Sequence, residues 1–394
     1  MALAGTRRAR CVATAMMLVS VTACSHSDST AVGTTTTVTV ATTRSPTTLP
    51  PNTEPVSLPT SAPAARRSAD ELAGARVLCS YAGAIVPDDL LTRVRQGKAA
   101  GVLWYGDNLP DMATAVSNAA AIQRAASAAA NPAPAIVGTD QEGGDIRRIQ
   151  GPPEASAQTL GVEGPATIHD QAKAAAVALL QWGINVNLAP VADIGRSGSF
   201  EAAQGRSFGT DPNAVAADVV AFVRGLHDGG AAATLKHFPG LGAATTNTDV
   251  APSIVDVPAA TLRSTDIPPF TSGIGAGADL VMLSSAHYPA LDSVPAVVSR
   301  AIVHDILRSQ LGFGGVIMSD AFDSDAVAAL GPIGSAAVAA ANAGVDLFIS
   351  RDAAPCAVMQ EALAAAITDG RIPRADAEAT YDRILRLRRG LSTG

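Results

Sequence analysis

Eight short apolar segments, separated by longer alanine-rich segments, constrain the fold of this chain more than any other feature. Short apolar runs bounded by turn residues are typical of buried strands, and apolar positions three or four residues apart are typical of amphipathic helices. The regular alternation predicts a single (β/α)8 TIM-type barrel, with a doubly wound open sheet as the alternative. The predicted strands are residues 76–81, 101–105, 135–139, 184–188, 232–237, 280–285, 315–319 and 345–350, and the clearest helices are residues 112–129, 166–181, 214–227, 300–310 and 375–389.

Composition argues against several classes of function. The 394 residues are 47% hydrophobic, which is enough for one large α/β domain. A net charge of −7 and an aromatic content of 4% argue against nucleic acid as a partner. The six histidines show no metal-ligand spacing, and no nucleotide-binding loop is present, so we expect neither a metal nor another cofactor. We expect a monomer.

The N-terminal residues indicate export. Three arginines precede a short apolar run at residues 12–21, and small residues follow, as in a secretory signal peptide over residues 1–23. Cys24 directly after Val-Thr-Ala resembles a bacterial lipobox cysteine, whereas a plain signal peptide with an incidental cysteine is the alternative. Residues 24–68 are rich in Ser, Thr and Pro and are expected to form a disordered tether. We therefore expect a lipoprotein of the cell envelope, anchored to the outer face of the cytoplasmic membrane and partly secreted.

Two cysteines, Cys79 and Cys356, remain after removal of the signal and acylation of Cys24. Cys79 lies on the first predicted strand and Cys356 just beyond the last one. Closure of a barrel brings these two regions together, and an exported protein meets oxidising conditions. A Cys79–Cys356 disulfide is therefore a hypothesis linked to the fold, and two separate buried thiols are the alternative.

Several predicted strands end in charged or polar residues. Asp140 follows the third strand in a glycine-rich turn that also carries Arg148, Lys236 and His237 end the fifth, and Asp320 follows the seventh. Catalytic groups concentrate at strand ends in such folds, although each segment alone could be a solvated turn. A carboxylate at Asp320 needs a counter-ion, and we expect Lys236 to supply it. Arg206, in a loop before a helix, is either a ligand donor or a plain surface charge.

The motifs resemble those of glycoside hydrolase family 3, and in particular its single-domain NagZ-type β-N-acetylglucosaminidases. They are DQEGG at 140–144, NVNLAPV at 185–191, GRSF at 205–208, KHFPG at 236–240 and SDA at 319–321. The resemblance covers residues 75–391, within an expected barrel domain at 69–394. It implies a TIM barrel and retaining hydrolysis of terminal β-linked N-acetylglucosamine, typically from cell-wall fragments. It also implies that Asp320 is the nucleophile and that the terminal sugar is held by Asp140, Arg148, Arg206, Lys236 and His237.

One part of the family pattern is missing. The family continues Gly-His-Gly, four residues, and Asp-Ser-His, whose histidine is the general acid/base. Here Leu241 replaces the first histidine, and residues 247–249 read Asn-Thr-Asp. Asp249 could serve as the acid if burial raised its pKa, His287 could reach in from the end of the sixth strand, or the acid step could be weak.

Three functions are compatible with these residues. The first is an exo-acting β-N-acetylglucosaminidase that acts on muropeptides in cell-wall turnover. The second is a broader β-glycosidase of the β-glucosidase kind. The third is a sugar-binding lipoprotein with little turnover, which the altered loop at 247–249 favours and the retained Asp320 opposes.

Overall fold

Eight parallel strands close into a barrel in the computed structural model, which describes residues 67–393. Each strand pairs with its neighbours in chain order, and the first also pairs with the last. This confirms the (β/α)8 prediction and excludes the open sheet. The strands, labelled β1 to β8, are Val77–Cys79, Gly101–Leu103, Ile136–Thr139, Val186–Asn187, Ala232–Phe238, Leu280–Leu283, Val316–Ala321 and Leu347–Ser350.

Helices connect the strands, and their ends follow the local sequence. Proline begins the helices at 165 and 212, where its missing N–H costs nothing, and Gly230 ends the second of these with a left-handed conformation. The segment predicted as a helix at 300–310 has π rather than α winding. The α-helices are Ala69–Gly74, Asp88–Arg95, Met112–Ser127, Ala157–Glu163, Pro165–Gln181, Phe200–Ala203, Pro212–Gly229, Ala259–Thr261, Ile267–Gly275, Asp325–Ala328, Ile333–Ala343, Ala353–Thr368 and Arg374–Gly390; π-helices are Leu262–Asp266 and Ala301–Gln310; 3-10 helices are Gly106–Asn108 and Ala296–Val298.

The inside of the barrel is a packed apolar core. Alternate residues of a strand point to opposite faces, and Leu280, Met282, Val316 and Met318 belong to an inner cluster, separate from the larger one that lies between strands and helices. Because side chains fill the barrel interior, a ligand site can form only at an end of the barrel.

Cys79 on β1 and Cys356 in the helix Ala353–Thr368 are joined by a disulfide, with a Cα–Cα distance of 5.7 Å. This helix follows β8, which pairs with β1. The bond therefore crosses the seam where the first and last repeats of the barrel meet.

The expected signal peptide, the acylated Cys24 and nearly all of the expected tether lie outside the described residues. Within the described range, no helix combines the length and apolar character needed to cross a membrane.

A short antiparallel hairpin, Gln141–Gly143 with Ile146–Arg147, follows β3. Buried asparagines hold it on the barrel. The backbone N–H of Gln141 donates to Asn187 Oδ1, and Asn187 Nδ2 donates to the Gln141 carbonyl, each at 3.0 Å. Asn185 accepts the backbone N–H of Val137 on β3 and donates to the carbonyl of Ala135, just before β3. The buried asparagines thus brace neighbouring segments.

Candidate active site

A pocket opens at the carboxyl ends of the strands and gathers most of the predicted site residues. Its wall includes residues that follow β2, β3 and β4, residues of β5, β6, β7 and β8, and two of the connecting loops. The polar residues that line it are Tyr105, Asp140, Glu142, Arg148, Glu201, Gln204, Arg206, Lys236, His237, Asn247, Thr248, Asp249, Asp320 and Arg351.

Lys236, near the end of β5, is almost fully buried between two carboxylates. Its Nζ lies 2.6 Å from Asp140 Oδ1 and 2.7 Å from Glu142 Oε1. Burial alone would lower the pKa of Lys236, but these two negative charges outweigh it and raise the pKa. The expectation that Lys236 is the counter-ion of Asp320 is wrong, because the hairpin after β3 brings its own carboxylates to the ammonium group.

Arg206 forms a second ion pair with the same hairpin. Its Nε and Nη2 donate to both oxygens of Glu142 at 2.8 Å, and its Nη1 donates to Glu201 Oε1 at 2.7 Å. Burial would raise the pKa of Glu142, but Arg206 and Lys236 together lower it. Glu142 is thus a buried anion that fixes two cations in the pocket wall.

Asp193, after β4, holds the end of β5. Its Oδ2 lies 2.8 Å from His237 Nδ1, and its oxygens also accept the backbone N–H groups of His237 and Leu241. Burial would lower the pKa of His237, but the hydrogen bond to Asp193 outweighs it and raises the pKa. The imidazole is therefore kept in one orientation in the pocket.

Asp320 lies at the end of β7, in the pocket wall. Its Oδ1 accepts the backbone N–H of Ala321 at 2.7 Å, and none of the described cationic side chains lies within ion-pair distance of it. Asp249 lines the same pocket. Its pKa is raised, first by burial and then by the negative charge of Asp320. The pocket thus contains one carboxylate free of a cation and a second one that is biased toward its protonated form.

Arg148 lines the pocket, and its Nη2 lies 3.7 Å from Asp140 Oδ2.

His287 does not line the pocket. Its Nε2 bonds the Asp292 carbonyl, and its backbone forms isolated bridges with Ile254 and Pro295. The option that His287 reaches into the site is therefore wrong, because β6 ends at Leu283 and the His287 ring bonds Asp292 outside the pocket lining.

Asp193, Glu201 and His237 are the described residues whose donor atoms lie close enough together, within 4.8 Å, to hold a metal ion. Both Asp193 oxygens already accept hydrogen bonds from N–H groups, and Glu201 is paired with the Arg206 cation. The arrangement therefore fits a hydrogen-bonded cluster better than a metal centre.

Four charged residues in the pocket wall or directly behind it were given no role from the sequence. Glu142 lies inside the DQEGG motif, so its position could have been identified. Asp193 comes two residues after the NVNLAPV motif, to which no chemistry was assigned. Glu201 lies in the short helix Phe200–Ala203 and Arg351 in the loop after β8; neither belongs to a motif, and no sequence signal marks them.

Comparison with known proteins agrees with this geometry. Residues 84–387 match the sequence profile of the glycosyl hydrolase family 3 N-terminal domain. A protein of Arthroderma benhamiae called an uncharacterized secreted glycosyl hydrolase is 37% identical over 328 residues, covering 81% of this chain and 93% of that protein. A β-hexosaminidase of Stenotrophomonas maltophilia is 36% identical over 259 residues, covering 64% of this chain and 75% of that enzyme.

Solved structures give the same result. A family 3 β-N-acetylglucosaminidase from Paenibacillus superposes with a TM-score of 0.79 and 28% identity, covering 82% of this chain and 63% of that one. This chain therefore spans less than two thirds of the Paenibacillus enzyme. A β-N-acetylhexosaminidase from Beutenbergia cavernae superposes with a TM-score of 0.76 and 31% identity, covering 82% of this chain and 99% of that one. The chain belongs to glycosyl hydrolase family 3.

Proposed function

We propose that this protein is a retaining exo-β-N-acetylglucosaminidase. The observation that carries the proposal is the position of Asp320, a carboxylate without a cationic partner, in the same pocket as the buried ion-pair cluster of Asp140, Glu142, Arg206 and Lys236. Carboxylates and cations arranged around one pocket suit a ligand with several hydroxyl groups. The names of the relatives, β-hexosaminidase and β-N-acetylglucosaminidase, support an acetamido sugar.

Asp320 acts as the nucleophile in this proposal. One of its oxygens attacks the anomeric carbon of the terminal sugar while the bond from that carbon to the leaving oxygen breaks, which yields a glycosyl-enzyme. Asp249 donates its proton to the leaving oxygen. In the second step Asp249 takes a proton from water, the water oxygen attacks the anomeric carbon, and Asp320 is released with the configuration retained.

Asp140, Arg148, Arg206, Lys236 and His237 hold the terminal sugar. The ion pairs among them keep each group in place before the ligand arrives, so that little ordering remains to be done on binding. A pocket built in this way admits one terminal residue and favours exo action.

The test is steady-state hydrolysis of 4-nitrophenyl β-N-acetylglucosaminide by the full chain, with the matching β-glucoside and the variants Asp320→Ala and Asp256→Asn. We expect the acetamido sugar to be preferred, the product to form first as the β-anomer, and Asp320→Ala to lose about 10³-fold or more in kcat. Asp256 is exposed and outside the pocket, so Asp256→Asn is the matched control. Equal rates on the glucoside would indicate a broader β-glycosidase.

A second candidate function is sugar binding with little turnover. The loop at 247–249 favours it, because the family's acid/base histidine is absent there. Saturable binding of N-acetylglucosamine by the wild-type chain, without hydrolysis of either substrate, would support this function and contradict the first.

We also propose that the natural substrates are muropeptides and that the protein is a lipoprotein of the envelope. The lipobox-like sequence before Cys24 supports acylation, and the polar Ser/Thr/Pro-rich segment after it supports a tether. Mass spectrometry of the mature N-terminus is the direct test, and Cys24→Ser should move the protein from membrane to medium. An unmodified mature N-terminus would contradict anchoring.

We further propose that the protein acts as a monomer, since the nucleophile, the acid and the sugar-binding residues of the proposed mechanism all lie in one pocket of one chain. Light scattering after size exclusion would test this.

A further inference from the structure

Glu201 is a buried glutamate that the proposed mechanism does not use. It lies in the short helix Phe200–Ala203, in the pocket wall, with 1% of its surface exposed. Its Oε1 accepts from Arg206 Nη1 at 2.7 Å. Its Oε2 is buried and has no hydrogen-bond partner among the residues that the structure describes. A buried carboxylate oxygen without a partner is costly, and in a binding site it indicates that a ligand group completes it.

The nearest polar groups show what kind of ligand group would fit. A carboxylate oxygen of Glu201, a ring nitrogen of His237 and an oxygen of Asp193 all lie within 4.8 Å of one another, but Glu201 and His237 do not bond each other directly. The ring nitrogen of His237 that is left for a ligand is Nε2, because Nδ1 bonds Asp193, and His237 and Glu201 line the same pocket. A hydroxyl that bonds both groups would do so at about 2.6–3.2 Å from each. Asp193 already accepts hydrogen bonds from three N–H groups. The groups that still have hydrogen-bonding capacity for a ligand are therefore Glu201 and His237.

We propose that Glu201, together with His237, binds one ring or hydroxymethyl hydroxyl of the terminal sugar and thereby determines specificity for that hydroxyl. The inference rests on the proposed function and names a further contact of the same site. A substituent on this hydroxyl would have to occupy the space between two buried side chains. The contact therefore restricts hydrolysis to chain ends at which this hydroxyl is free.

Protonation is compatible with this role. Burial raises the pKa of Glu201 to about 7, and the pKa of His237 is raised by its bond to Asp193 despite its burial. Near neutral pH Glu201 is therefore present both with and without its carboxyl proton. A hydroxyl both donates and accepts, so it can bond either arrangement of that proton.

The experiment compares 4-nitrophenyl β-N-acetylglucosaminide with its 3-, 4- and 6-deoxy analogues. With the wild-type full chain we expect kcat/KM to fall about 10- to 100-fold for the analogue that lacks the hydroxyl bound by Glu201. Glu201→Ala should lose a similar factor on the parent substrate and show no further loss on that one analogue. For the other two analogues, the ratio of kcat/KM to that of the parent substrate should be the same in Glu201→Ala as in the wild type. Glu163→Ala, at an exposed position on a nearby helix, is the matched control and should behave as the wild type does.

Two results would overturn the inference. Equal losses of Glu201→Ala on all four substrates would leave the preferences among them unchanged and would mean that Glu201 acts only by holding Arg206. Wild-type kcat/KM values of Glu201→Ala on all four substrates would mean that Glu201 contacts no hydroxyl. If Glu201→Ala does not fold, Glu201→Gln is tested in its place, since it keeps the volume of the side chain. Glu201→Gln should reduce the difference in kcat/KM between the parent substrate and the one analogue that lacks the bound hydroxyl. If the wild type hydrolyses none of the substrates, the proposed function fails. The affinities for N-acetylglucosamine and its deoxy analogues are then compared by calorimetry in the wild type and in Glu201→Ala. If Glu201→Ala no longer binds the parent sugar more tightly than one of the analogues, this result still supports the contact.

Discussion

Asp193 Oδ2 and His237 Nδ1 lie 2.8 Å apart at a fully buried position, and the same carboxylate accepts the backbone N–H groups of His237 and Leu241. One side chain from the end of β4 thus fixes the turn after β5 and the imidazole that it carries. An asparagine there has a single acceptor oxygen and must leave some of these donors unpaired.

We therefore expect Asp193→Asn to lower the free energy of unfolding by about 2–4 kcal/mol, since it leaves buried donors unsatisfied. The kcat/KM should fall as well because the His237 ring is no longer held. Urea unfolding and steady-state kinetics measure the two effects. Asp170→Asn is the matched control, because Asp170 makes an Asp–His contact with His169 at an exposed surface and should matter by less than about 1 kcal/mol. Equal effects of the two substitutions would contradict the role of Asp193.

Asp249 gives a prediction about pH and leaving group. Its pKa is raised by burial and by Asp320, so it keeps its proton to higher pH, and activity should decline as the pH rises through that pKa. Asp249→Asn should abolish this decline on the alkaline side of the pH–activity profile. It should also lose about 10²–10⁴-fold in kcat/KM on a disaccharide of N-acetylglucosamine, but far less on the 4-nitrophenyl glycoside, whose leaving group needs no proton.

Azide separates this role from a general loss of structure. A small anion can attack the glycosyl-enzyme without base catalysis, so azide should raise kcat of Asp249→Asn on the activated substrate and leave the wild type unaffected. An unaltered alkaline decline in Asp249→Asn, without azide rescue, would mean that another group supplies the proton.

The barrel could be predicted from the sequence because both of its patterns are local: the short apolar runs of the strands, and the apolar positions three or four residues apart of the helices. Each predicted strand overlaps an observed one, and the structural and sequence relatives confirm the family resemblance. The contacts of the site were harder to predict because they depend on loop conformation. Lys236 was assigned to the wrong carboxylate, since the segment after β3 places Asp140 and Glu142 at ion-pair distance from its ammonium group. Glu201 could not be found at all, because a glutamate in a helix of four residues shows no periodicity and belongs to no motif.

Asp218 makes stability depend on pH in the direction opposite to that of most carboxylates. It is buried in the helix Pro212–Gly229, and no described residue forms a hydrogen bond or ion pair with its carboxylate. Burial raises its pKa from 3.8 to about 6. The folded state therefore binds the proton more tightly than the unfolded chain, so its contribution is fully present below about pH 4 and is lost as the pH rises through 6.

Asp218→Asn removes this dependence. We expect the variant to raise Tm by about 2–4 °C at pH 8, with the gain shrinking toward pH 4. Thermal unfolding followed by circular dichroism at several pH values measures it. Asp256→Asn, at an exposed position, should show no such trend. A gain for Asp218→Asn that did not vary with pH would show that the charge of Asp218 is not responsible.

The disulfide across the barrel seam links residues that are 277 positions apart. Closing so long a loop restricts the unfolded chain strongly, so we expect its loss to lower the free energy of unfolding by about 2–4 kcal/mol. Peptide mapping without reduction should recover a Cys79–Cys356 cross-linked pair. The variants Cys79→Ala, Cys356→Ala and the double substitution then form a cycle. Either single change breaks the bond, so the double variant should be little less stable than each single one. If the two sulfurs were separate buried thiols, each change would remove its own packing, and the losses of the single variants would add in the double variant.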